Sequence, residues 1–132
     1  MEIGKNITSF LEKLPATVEL VAVSKTKSNE EILEAYNAGQ RKFGENKIQD
    51  MTRKYEILPK DIQWHMIGHV QSNKVKYMAP YVSLIQGVDS LKLLKEINKQ
   101  AQKNNRIIDC LLQIHIAKEE SKFGLSVRES QQ

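Results

Sequence analysis

Apolar positions along the chain recur at two spacings, and the two kinds of segment take turns. Ile7, Phe10, Leu11 and Leu14 share one face of a helix that Pro15 stops. The run Val18-Glu19-Leu20-Val21-Ala22-Val23-Ser24 is β-branched and almost continuously apolar, the pattern of a strand buried on both faces of a parallel sheet. Ser28 or Asn29 then caps a second helix with Glu30 and Glu31 in its first turn, Ile32, Leu33 and Tyr36 on its apolar side and Gly39 at its end. A short candidate strand around Lys42-Phe43-Gly44 precedes a helix over 46–58, whose apolar side is Ile48, Met51, Tyr55 and Leu58 and which Pro59 closes.

The alternation continues. Residues 62–68 predict a third strand, 73–78 a short helix ending before Pro80, and 81–87 a fourth strand. Asp89 or Ser90 caps a long helix through Leu91, Leu94, Ile97 and Ala101, and 107–116 reads as a fifth, very apolar strand. Strand and helix in regular succession at these lengths imply right-handed βαβ units on a parallel sheet, either doubly wound or rolled into a barrel. The expected class is therefore α/β.

Composition narrows the function classes. With 132 residues, 40% hydrophobic and 27% charged, the chain has the make-up of a globular domain with one core. The net charge of +4 is spread over interspersed residues of both signs, as on a solvated surface. No segment interleaves basic residues with aromatics, so nucleic acid is not an expected partner. Cys110, the single cysteine, lies in an apolar run and reads as a small core residue. Residues 1–10 lack the apolar run of a signal peptide, and no stretch reaches the roughly 18 residues that span a bilayer. A cytoplasmic chain with no membrane partner is expected.

In parallel α/β architectures ligands sit at the carboxyl ends of the strands. Lys25 follows the first strand, Gly44-Glu45-Asn46 the second, His65 to His69 spans the end of the third, and His115 lies near the end of the fifth. A lysine emerging from Val21-Ala22-Val23 into a barrel mouth would be partly desolvated, which frees its amine as a nucleophile. The plainer alternative is a solubilising lysine at a strand end. Asn46 reads either as a ligand donor or as a helix N-cap. His65 and His69 straddle a glycine with no glutamate after the first, so the helical zinc signature is absent and no metal is expected. Pocket-wall contacts and satisfied turn histidines stay open for both. Neither GxGxxG, a Walker loop nor GxSxG occurs.

Taken in order, Val21-Ala22-Val23-Ser24-Lys25-Thr26, Phe43-Gly44-Glu45-Asn46 and the run from Trp64 to Lys74 resemble the YggS/PROSC family of pyridoxal phosphate homeostasis proteins. The likeness continues through Val75-Lys76-Tyr77, Val88-Asp89-Ser90 and residues 119–124, nearly the whole chain after the leading helix. The resemblance implies a barrel of TIM type, like the N-terminal barrel of alanine racemase. It implies pyridoxal 5'-phosphate held as a Schiff base on Lys25, with Asn46 beside the cofactor. His65, from its place at a strand end and a candidate pocket wall, is a third cofactor-binding candidate.

The same resemblance implies a cofactor carrier in vitamin B6 homeostasis, without an established turnover and with no catalytic residue assigned. A racemase-like amino-acid isomerase is the alternative; it needs a second acid or base, for which His65, His115 and Tyr81 are the candidates. Such barrels run to about 250 residues and hold the cofactor phosphate on loops after strands seven and eight. The chain is thus expected to form a single incomplete barrel domain over 1–132, of about five βα units, truncated before closure. A cofactor-free half-barrel is the further alternative. Its open edges and inner apolar face predict self-association, and His115 stands where the family more often has a polar amide.

Overall fold

The computed structural model describes residues 2–113, and His115 lies outside them. Five helices and five strands succeed one another: α1 (Glu2–Lys13), β1 (Ala22–Val23), α2 (Asn29–Asn37), β2 (Lys42–Glu45), α3 (Ile48–Ile57), β3 (Gln63–Met66), α4 (Val75–Met78, entered through a 3-10 turn at Ser72–Lys74), β4 (Leu84–Val88), α5 (Leu91–Lys103) and β5 (Asp109–Leu112).

Local chemistry accounts for the helix starts. At the head of α2 the Ser28 hydroxyl accepts from the Glu31 amide at 3.1 Å while the Glu31 carboxylate accepts from the Ser28 amide at 3.0 Å, a reciprocal capping box. Ser90 caps α5 by accepting from the Leu93 amide at 3.1 Å. The cap position of α3 falls on Lys47, which makes no side-chain cap bond. Asn46 is one residue farther out, so the N-cap alternative for it is not realised.

All strands are parallel and lie in the order β1-β2-β3-β4-β5. A doubly wound sheet reverses direction from its starting strand, whereas this order advances by one neighbour at each crossover, as in a (β/α) barrel. One core joins the sheet to its helices: Phe43, Trp64, Met66 and Ile85 from the strands meet Ile32, Met51, Val75 and Leu93 from the helices. Burying side chains of this size contributes roughly 1.5 to 3 kcal/mol each. Arg106 ties the last connection down by donating to the carbonyls of Ala79 (2.6 Å) and Val82 (2.9 Å).

Both outer strands differ from their expected form. β1 is two residues long and Val23 is 51% exposed; Leu111 in β5 is 52% exposed and Ile107, expected inside that strand, is 93% exposed. Both are edge strands, and among the described residues nothing pairs with their outer sides. Apolar composition alone does not bury a strand that lacks a neighbour. The candidate strand at Lys42, by contrast, is central, with Phe43, Gly44 and Glu45 buried. Cys110 is half-buried against the core. Among the described residues no helix is long and apolar enough to cross a membrane.

Candidate functional site

The backbone ladder runs on past the strands and aligns their carboxyl ends. The Ser24 amide donates to the Gly44 carbonyl at 2.9 Å, Ile67 to Glu45 at 3.0 Å and Gln113 to Val88 at 2.8 Å. Lys25, Asn46, Gly68 and Asp89 thereby follow strands that finish at the same end of the sheet.

Lys25 occupies a turn closed by the Lys27 amide donating to the Ser24 carbonyl at 3.1 Å, with Thr26 in the left-handed region at φ 63°. The lysine is exposed, which corrects the expected desolvation: among the described residues nothing buries this amine. What holds its turn is the residue before it. Ser24 is buried, and its hydroxyl donates to the Glu45 carboxylate. The same carboxylate oxygen receives Lys54 Nζ at 2.8 Å, and Lys54 Nζ also donates to the Ser24 carbonyl at 2.9 Å. Glu45 is 1% and Lys54 5% exposed, so this is a buried ion pair linking β2 to α3.

Sequence reasoning missed that pair, although a signal existed. Lys54 lies three residues after Met51 and four before Leu58, inside the apolar stripe of α3. A charge in such a stripe calls for a buried partner.

Asn46 is half-buried and pressed against the next strand end. A Cβ on Gly68 would stand 2.9 Å from the Asn46 Cα, so only glycine permits this approach. Beyond Gly68 a cleft of about 550 Å³ opens among Ile67, Gly68, His69, Gly87, Asp89 and Gln113. His69 Nδ1 is 3.6 Å from Asp89 Oδ2 across it. Among the described residues no three His, Cys, Asp or Glu side chains converge as metal ligands.

His65 is not at the strand end with Lys25 but inside β3, in register with Gly44 and Leu84. Register partners point to one face, so the imidazole lies on the inner face, opposite the core residues Trp64 and Met66. It is 6% exposed and its Nδ1 has no hydrogen-bond partner. Burial holds its pKa below the ordinary 6.5; Lys42 adds to that effect and Glu19, paired with Lys42 at 2.8 Å, opposes it. Tyr81 faces α3. Its hydroxyl shares a 2.8 Å hydrogen bond with Thr52 and its ring stacks on Tyr55 at 4.1 Å, against α3. Burial pushes its pKa up to about 12.

The sequence model of the alanine racemase N-terminal domain matches residues 2–132. The pyridoxal phosphate homeostasis protein of Aquifex aeolicus is 44% identical over 108 residues, covering 81% of this chain and 47% of that protein. Its Haemophilus influenzae counterpart is 40% identical over 116 residues, covering 86% and 49%. The chain spans about half the length of these curated relatives. The structure of PipY from Synechococcus elongatus with PLP bound superposes with a TM-score of 0.83 at 34% identity, over 96% of this chain and 59% of that one. Alanine racemase from Bartonella henselae, 18% identical, shares the fold with a TM-score of 0.70 over 97% of this chain and 37% of that one. Matched over residues 2–132, the chain belongs to the alanine racemase N-terminal domain family, and within it is similar to the pyridoxal phosphate homeostasis proteins.

Proposed function

We propose that this chain binds pyridoxal 5'-phosphate covalently through Lys25 and acts as a carrier in vitamin B6 homeostasis. The observation that carries the reading is the position of Lys25, an exposed primary amine on the turn leaving β1, at the same end of the sheet as Asn46. The donor set suits the cofactor. Asn46 offers an amide to a ring or phosphate oxygen, and the unpartnered Nδ1 of His65 on the inner face offers a third polar contact. When bound, the cofactor supplies an electrophilic aldehyde carbon. The neutral Lys25 amine would condense with that carbon to a C=N bond, its two protons and the aldehyde oxygen leaving as water. The PLP-bound PipY relative supports this assignment.

Of the candidates for a second acid or base in the isomerase alternative, Tyr81 is turned toward α3, where its hydroxyl is bonded to Thr52, which leaves His65 as the candidate among the described residues. The test is to add pyridoxal 5'-phosphate to the 132-residue chain, reduce with borohydride and map the modified peptide. The adduct is expected on Lys25 and absent from Lys25→Ala. An undiminished adduct in Lys25→Ala would overturn the assignment, and no adduct in either protein would favour the cofactor-free half-barrel.

We also infer that the chain self-associates. Val23 and Leu111 leave apolar surface on the two edge strands, whose outer backbone groups are unpaired among the described residues. A second copy covers such surface and edges most simply. Nothing in the charge pattern favours nucleic acid as partner.

A further inference from the structure

We propose that the buried Glu45–Lys54 ion pair is the positioning device for Lys25, acting through Ser24; the inference rests on the reading of Lys25 given above. Every polar group of Ser24 is engaged. Its amide donates to the Gly44 carbonyl, its hydroxyl donates to the Glu45 carboxylate with the Gly44 carbonyl 3.2 Å away, and its carbonyl accepts from the Lys27 amide and from Lys54 Nζ. One charged pair thus fixes the residue immediately before the reactive amine from both its side chain and its backbone.

The turn it steadies is not one the chain adopts freely. Thr26, two residues past Ser24, sits at φ 63°, a region in which a β-branched residue is an outlier. The Lys27 amide closes that turn on the same carbonyl that Lys54 grips, so the charge-assisted bond from Lys54 fixes the acceptor on which the turn depends. Apolar residues of similar volume often replace a buried ion pair without loss of stability. Lys54 stands where the stripe of α3 would take a leucine or methionine, and its chemistry is accounted for by the geometry it imposes on Ser24. Glu45 and Lys54 are positioning residues: neither needs to touch the cofactor.

The experiment compares the unmodified chain with Ser24→Ala, Lys54→Met, Lys54→Arg and the double variant Glu45→Gln/Lys54→Met, each at a temperature where circular dichroism shows it folded. Two quantities are read: hydrogen exchange at the Lys27 amide without cofactor, and the rate of borohydride-trapped attachment of pyridoxal 5'-phosphate at Lys25. In Lys54→Met the Lys27 amide is expected to exchange about tenfold faster or more. Attachment should slow by about ten- to a hundredfold, as misplaced reacting groups do. Lys54→Arg should recover part of both. The decisive protein is the double variant, which removes the unpaired charge: it should regain thermal stability while attachment stays slow. If a folded double variant, or Ser24→Ala should the others not fold, attaches the cofactor at the unmodified rate, the positioning role is overturned and the pair is packing alone. If the unmodified chain itself forms no adduct, the reading of Lys25 falls and this inference with it.

Discussion

Gly68 and Asn46 come so close at the ends of β3 and β2 that a Cβ on the glycine would stand 2.9 Å from the Asn46 Cα. The obstructing atoms are backbone, so no side-chain rotation relieves the clash. Gly68→Ala is expected to cost about 1 to 3 kcal/mol, in the range of overpacked interiors, and to displace Asn46. Urea denaturation measures the first effect, and the chemical shift of the Asn46 side-chain amide the second. A variant matching the parent in both would show that the two strand ends are not in contact.

The Glu45–Lys54 pair sets the stability of the β2–α3 unit. Removing one partner leaves the other charge buried and uncompensated, so Glu45→Gln or Lys54→Met alone should cost about 3 to 5 kcal/mol. The double variant should lose much less than the sum. A double-mutant cycle by denaturant unfolding gives the coupling, expected at about 0.5 to 3 kcal/mol.

His65 makes stability depend on pH in the mildly acidic range. Its folded pKa lies below 6.5, the direction burial imposes. Above 6.5 neither state holds a proton on the ring and the contribution is fully present. As pH falls from 6.5 toward the lower folded pKa, the unfolded chain takes up a proton that the folded one does not, and stability declines. His65→Gln should flatten that part of the profile in chemical denaturation at successive pH values.

Tyr81 acts at the other end of the scale. Its folded pKa of about 12 exceeds the ordinary 10.0, so its contribution is fully present below 10 and is lost as pH rises from 10 toward 12. Ultraviolet titration of the phenols should show one that ionises well after the others. Tyr81→Phe, which also releases Thr52, should remove that late step.

Edges unpaired among the described residues predict the assembly state. Sedimentation equilibrium of the 132-residue chain should give a dimer or larger species, and Val23→Lys or Leu111→Lys should shift it toward monomer. A monodisperse monomer, well folded by hydrogen exchange, would overturn self-association.

The order of elements was legible along the chain because its signals are local. Pro15 and Pro59 stop helices, Ser28 with Glu31 builds a cap, and apolar spacing separates the helices from strands, all within a few residues of one another. The places of Lys25 and Asn46 at strand ends were legible for the same reason: each comes just after a short strand signal, and the ordered motifs around them carry the family likeness.

Tertiary structure alone decided the rest. Whether the sheet doubles back or advances strand by strand depends on pairings such as Gly44 with His65, made between residues about twenty apart. Periodicity assigns β5 an apolar character but not its exposure, because exposure depends on a neighbour and not on the residue. His65 looks like a strand-end histidine until register turns it onto the inner face and leaves Nδ1 unpartnered. Lys54 looks like one more solvated lysine until α3 packs on β2 and brings Glu45 within 2.8 Å. By itself the sequence determined which segments form and which amine stands at a strand end. The partners of the charged groups, and hence the support of Lys25, come from contacts across the fold, where burial makes an unpaired charge costly.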